Sequence, residues 1–206
     1  MSNAIETLGQ QIKALGPPQQ LSEVVLQTSR YDEMRAWYAA VLGARWHFEN
    51  TPAGSAADLY PPGEKQVRAA DVRASFMRIG GAAPVTIGLF ELPWLVPPGH
   101  VEPGLNHLQF TENDLDVLVR RVELMRDAGI HPHRTSNHGL VMSFYFRDPD
   151  GNIIEFCSRN FATPEEMGAF VRSEQFRNNP SGLELDRDDF LARYHSGMPR
   201  AELLKI

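Results

Sequence analysis

Hydrophobic and polar positions follow one order that recurs twice along the chain. Leu21-Ser22-Glu23-Val24-Val25-Leu26-Gln27-Thr28 alternates and is rich in β-formers, which predicts a strand. Over Tyr31 to Leu42 the period becomes helical, with Met34, Trp37, Tyr38 and Val41 on one face and Gly43 at the stop. Trp46 to Glu49, Ala74 to Ile79 and Val85 to Leu92 are the next predicted strands. The second half repeats the order. Leu105 to Thr111 reads as a strand and Leu115 to Asp127 as a helix ending before Gly129. Met142 to Arg147 and Asn152 to Cys157 then read as a hairpin through Asp148-Pro149-Asp150-Gly151. Superposing the halves sets Glu23 on His107 and Gly43 on Gly129. The expected fold is α+β: two βαβββ repeats pairing into one curved mixed sheet around a cup, with helices outside.

Two stretches lie outside the repeat. Asn50 to Asp71 is rich in Ala, Gly and Pro without a clear period, as a mobile loop or a lid would be. From Phe161 onward runs a helical tail, in which Thr163-Pro164-Glu165-Glu166 is a helix start. Asp186 to Asp189 opens another helix, which Gly197 closes. The expected organisation is one module over 1–158, with repeats at 20–95 and 103–158, and a C-terminal helical extension over 159–206.

Alternation also sorts side chains onto faces. Glu23, Val25 and Gln27 point one way; His107, Gln109 and Thr111 share a face, as do Ser143, Tyr145 and Arg147, and Ile153, Glu155 and Cys157. Each strand thus has an apolar face and a face carrying a polar group. Glu155, flanked by Ile153, Ile154 and Phe156, is the outlier, because a buried carboxylate without a partner costs several kcal/mol or turns neutral. A metal ion is one remedy and an arginine partner is another. Glu23 reads as a partly solvated strand residue or a ligand, and His107 as a satisfied core histidine or a ligand. Together they make an N/O set suited to Fe(II), Mn(II) or Zn(II).

Composition narrows the field of partners. Lys plus Arg number 20 against 26 Asp plus Glu, a net charge of −6, and no basic run disposes the chain toward nucleic acid or anionic membrane. No stretch approaches the ~18 apolar residues of a membrane span. Met1 to Gly16 carries no apolar signal core, so a cytoplasmic protein is expected. A single cysteine, Cys157, leaves no intrachain disulfide and no multi-cysteine zinc site.

The chain resembles the vicinal oxygen chelate superfamily of glyoxalase I, bleomycin-resistance proteins and type I extradiol ring-cleaving dioxygenases. It is most like single-module proteins related to biphenyl-2,3-diol dioxygenase. The resemblance is carried by Glu23 to Thr28, Trp37 to Gly43, Gly104-Leu105-Asn106-His107-Leu108, Asn137-His138-Gly139 and Ser143 through Glu155. Phe176, Asn179-Pro180, Gly182 and Asp186 extend it into the tail. It implies a divalent metal, with Fe(II) first and Mn(II) or Zn(II) next, on Glu23, His107 and Glu155. It implies that Tyr145 hydrogen-bonds a substrate oxygen. The implied partners are a small aromatic substrate and O2, with a homo-oligomer allowed.

Two positions depart from that pattern. The first ligand of the dioxygenases is histidine, whereas this chain has Glu23. Their acid/base histidine comes before the second repeat, whereas Ala83-Pro84-Val85-Thr86-Ile87-Gly88 contains none. His138 is the candidate substitute, read either as that base or as a loop histidine on the surface. An extradiol-type dioxygenase is therefore the expected function. The alternatives are a metal-dependent isomerase, epimerase or lyase of glyoxalase type, and a non-catalytic binder of aromatic ligands.

Overall fold

The computed structural model describes residues 10, 11, 13, 21–52, 67–81, 84–96 and 105–206. The reading of Met1 to Gly16 falls almost wholly outside the described residues, as do 53–66 of the long loop, Ala83 and Gly104. The chain forms two compact units, one of Met1–Tyr31 with Leu42–Leu95 and one of Asp32–Val41 with Val96–Ile206. Among the described residues no helix is long and apolar enough to cross a membrane.

The first unit holds a mixed four-stranded sheet. Its strands are β1 (Glu23–Thr28), β2 (Trp46–Asn50), β3 (Ala74–Ile79) and β4 (Val85–Glu91), in the order β1-β4-β3-β2. β1 runs parallel to β4, and the other pairs are antiparallel. A bulge between Trp46 and Phe48 interrupts the β2–β3 register. On one face Val72, Ala74, Phe90 and Leu92 form a buried cluster, with Trp94 and Leu95 packed against it. Tyr31 is fully buried, hydrogen-bonds Ser75 and lies under the Arg73 guanidinium at 4.2 Å.

The second unit repeats this topology with five strands. They are β5 (His107–Glu112), β6 (Arg134–Asn137), β7 (Val141–Arg147), β8 (Ile153–Arg159) and β9 (Leu183–Glu184), in the order β5-β8-β7-β6-β9. As in the first unit, the strand before the helix runs parallel to the last strand of its repeat. The two βαβββ repeats expected from the sequence are thus present. The short polar strand β6 and the strand β9 from the tail are additional to the strands predicted.

Helix α1 (Tyr31–Leu42) gives residues 32–41 to the second unit, where Tyr38 is fully buried. Its hydroxyl donates to Asp148 Oδ2 at 3.1 Å, and Arg121 reaches the Val41 carbonyl. Helix α2 (Leu115–Asp127) is capped by Asp114, which accepts from the Val117 amide, and buries Leu118 and Val122. Arg121 on α2 also pairs with Glu112 and stacks over Phe156 at 4.8 Å. In the tail, α3 (Pro164–Val171) begins at the expected helix start, with a capping box between Thr163 and Glu166. It is followed by α4 (Glu174–Asn178), α5 (Arg187–His195) and α6 (Arg200–Leu203). Asp186 caps α5 as anticipated, and Phe190 on α5 packs edge-on against Phe144.

Candidate metal centre

Register places the polar residues of the second sheet in rows across the strands. Gln109, Glu155, Tyr145 and Arg134 form the central row. Thr111, Cys157, Ser143 and Ser136 lie on one side of it, and His107, Ile153 and Arg147 on the other. Glu155 is therefore surrounded by polar neighbours although only 2% exposed. Its Oε1 accepts from Ser143 Oγ at 2.6 Å and from Gln109 Nε2 at 3.0 Å. Neutral donors serve this oxygen, so the arginine remedy is not the one the fold uses.

Oε2 faces a different group. It lies 3.1 Å from His107 Nε2, while His107 Nδ1 lies 2.6 Å from Asn106 Oδ1. The amide oxygen only accepts, so a ring proton belongs on Nδ1, and Nε2 faces Oε2 with either its lone pair or a second proton. Two lone pairs aimed at one place need a proton or a cation between them. Divalent ions hold such N and O atoms at about 2.0–2.2 Å, so two ligands at right angles stand about 3 Å apart. The residues fit a divalent ion at this point.

Tyr145 lies in the same row. Burial, reinforced by the neighbouring Glu155 carboxylate, pushes its phenol up to about 12. The Arg134 guanidinium sits over its ring at 5.3 Å. His138, from the turn between β6 and β7, brings Nε2 to 2.8 Å from the Tyr145 hydroxyl. Its Nδ1 lies 2.6 Å from the Ser181 carbonyl oxygen. His133, which sequence reasoning did not single out, lies with its ring centroid 6.5 Å from that of Tyr145. Burial, with the charges of Arg147 and Arg134, lowers its pKa. Cys157, one row from Glu155, is a buried thiol whose pKa burial raises to about 11. It faces Thr111 Oγ1 at 3.6 Å.

Glu23 belongs to the first unit. It is exposed on β1, in a row with Thr86 on β4 and Arg78 on β3. Thr86 and Gly88 are what the histidine-free stretch contributes to this face. Register makes Gly88 the counterpart of Glu155, since each pairs with the residue two places after its first strand begins. A Cβ there would stand 3.0 Å from Val25 Cγ2 and 3.1 Å from Phe76 Cε1, so apolar groups close the position. Val25 is 38% and Phe48 53% exposed, which gives this face an apolar row beside an open cavity of about 480 Å³. His47, Phe76, Met77, Arg78 and Thr86 line that cavity. Among the described residues no group of three or more His, Cys, Asp and Glu side chains is drawn together.

A paired imidazole and buried carboxylate on one sheet of a twice-repeated βαβββ chain define a class. Residues 20–156 match the Glyoxalase/Bleomycin resistance protein/Dioxygenase superfamily, and the chain belongs to it. Biphenyl-2,3-diol 1,2-dioxygenase 3 of Rhodococcus globerulus is 33% identical over 183 residues, 89% of this chain and 86% of that protein. Biphenyl-2,3-diol 1,2-dioxygenase 2 of the same organism is 32% identical over 166 residues, 80% of this chain and 76% of that protein. Among solved structures, a glyoxylase/bleomycin resistance protein/dioxygenase domain from a Frankia species shares the fold with a TM-score of 0.54 at 17% identity. That match covers 71% of this chain and 96% of the Frankia domain.

Proposed function

We propose that this protein is a divergent extradiol-type dioxygenase that opens a catechol-type aromatic ring with O2. The observation carrying this reading is the His107–Glu155 pair, 3.1 Å apart, in a row with Tyr145 and its partner His138. The names of the two Rhodococcus relatives support the same substrate class. In this reading residues 1–158 are the module, His107, Glu155 and Glu23 are the ligands, and 159–206 are an extension. Bound Fe(II) would supply chelation of the two adjacent catechol oxygens and a place for O2, with Mn(II) or Zn(II) as the other ions suited to this donor set.

The chain's own groups do the rest. Gln109 and Ser143 hold Glu155 so that Oε2 stays turned to His107. Tyr145 stays protonated at neutral pH and meets a substrate oxygen by hydrogen bond. His138 shares the Tyr145 proton and takes the acid/base role that the Thr86–Gly88 stretch cannot fill. Turnover is expected to be slow, because a carboxylate at position 23 lowers the positive charge that attracts a catecholate.

The test is anaerobic loading with Fe(II), then a catechol panel that includes biphenyl-2,3-diol, then O2. A yellow ring-fission product that Glu155→Ala fails to form supports the reading. Iron-loaded protein that cleaves none of the panel overturns it, and aromatic binding without cleavage then leaves the binder.

A further inference from the structure

The C-terminal extension holds the turn that carries His138 on several sides. Asn137 Nδ2 donates to the Leu204 carbonyl at 2.8 Å, and Asn137 Oδ1 accepts from Asn160 Nδ2 at 2.9 Å. Phe170 and Ile206 close over Gly139, where a Cβ would stand 2.5 Å from each. β9 pairs with β6 through Asn137 and Leu183, and through Ser136 and Glu184. Gly182 has a φ of +70°, and a Cβ there would lie 2.0 Å from the Asn137 carbonyl oxygen and 2.5 Å from His138 Cα. Only glycine lets this segment approach so closely. The approach brings the Ser181 carbonyl to His138 Nδ1.

We infer that Ser181 and Gly182 of the extension are positioning residues, which fix the tautomer and orientation of His138 toward Tyr145. This rests on Tyr145 and His138 being site residues, as proposed above. A carbonyl oxygen only accepts, so the 2.6 Å contact requires the proton on Nδ1. The neutral ring then presents its Nε2 lone pair to the Tyr145 hydroxyl across 2.8 Å, as an acceptor that competes with Glu155 for the one phenol proton. The line runs from the Ser181 carbonyl through both ring nitrogens to the Tyr145 hydroxyl. It has the logic of a triad, in which a third group selects the nitrogen free to act as base. Without that contact an imidazole carries its proton on either nitrogen, and with the proton on Nε2 the lone pair facing Tyr145 is lost.

Nitrogen-15 NMR of the full chain at pH 8, with diamagnetic Zn(II) supplied, reads the tautomer directly; His138→Gln assigns the resonances. The expected result is His138 as the Nδ1–H form in the wild type and a shift toward the Nε2–H form in Gly182→Ala. An Nε2–H form in the wild type overturns the inference, whether or not Gly182→Ala folds. Where iron-dependent turnover exists, Gly182→Ala and His138→Gln should each lower it about 10²-fold, and their combination no further. Multiplied losses in the double variant also overturn it. The tautomer is read without turnover, so a failed catechol assay leaves this result standing on its own.

Discussion

Glu155→Gln should make the metal-free protein more stable while abolishing metal-dependent stabilisation. The carboxylate is 2% exposed, and holding a charge there costs several kcal/mol before its partners offset it. Glutamine keeps an oxygen for the Ser143 and Gln109 donors, losing about 1–1.5 kcal/mol at each as charged bonds become neutral. Its new N–H faces the His107 lone pair at a separation now 3.1 Å, adding about 1 kcal/mol. Together with the relief of burying a charge, the net gain is about 1–2 kcal/mol, a melting rise of roughly 2–8 °C for a chain of this size. Metal should reverse the order. An ion at 100 times its Kd adds about 2.7 kcal/mol to the wild type and nothing to the variant. Thermal melts at pH 8, with and without anaerobic Fe(II) or Zn(II), test both halves. A metal-free Glu155→Gln protein less stable than wild type by more than about 1 kcal/mol would show that His107 and Glu155 are a self-sufficient ion pair. An equal metal-induced shift in both proteins would remove Glu155 from the ligand set.

Tyr145→Phe should lower turnover by the equivalent of about 0.5–1.5 kcal/mol, read as kcat/KM on the best catechol, with the metal-induced melting shift unchanged. Arg121→Ala should cost about 2–4 kcal/mol in urea unfolding, since it loses the Glu112 pair, the Val41 carbonyl and the Phe156 face together. Arg121→Lys should recover less than half, because an ammonium lacks the planar fork. Burial raises the Asp148 pKa above its ordinary value, so the folded chain takes up that proton before the unfolded chain does. Its contribution to stability therefore increases as pH falls through the raised pKa, and levels off near pH 4 once the unfolded chain also protonates. Tyr38→Phe removes a donor to the ionised carboxylate, so its cost should be largest at neutral pH and shrink over that window in urea midpoints.

The polar setting of His107 and Glu155 was legible in the sequence because strand alternation puts both on faces that carry polar groups, and a carboxylate in an Ile-Ile-Glu-Phe run needs a partner. The helices α1 and α2 and the tail caps at Thr163 and Asp186 were legible for equally local reasons. β6 was not, since Arg134-Thr135-Ser136-Asn137 has no apolar alternation and becomes a strand by pairing with β7 and β9. The partners of Glu155 could not be read either. Alternation puts Gln109 and Ser143 on polar faces, but only the register across β5, β8 and β7 makes them neighbours of Glu155. The contact of His138 with Ser181 spans 43 residues, and no local pattern encodes a contact of that range. His133 left no signal beyond its identity.

Residues 32–41 lie in the first repeat by sequence and in the second unit by contact. The bonds that secure them span 110 residues from Tyr38 to Asp148 and 80 from Val41 to Arg121. A duplicated chain invites division into halves, yet a cut before the second repeat would strip that half of a helix hydrogen-bonded to it at Asp148 and Arg121. Buried Asp148 would lose the Tyr38 hydroxyl, and Arg121 would face water where the Val41 carbonyl had been. The halves are expected to acquire native structure only when synthesised as one polypeptide or mixed together. Contacts of such separation also slow folding, because the early helix must wait for its counterpart to emerge.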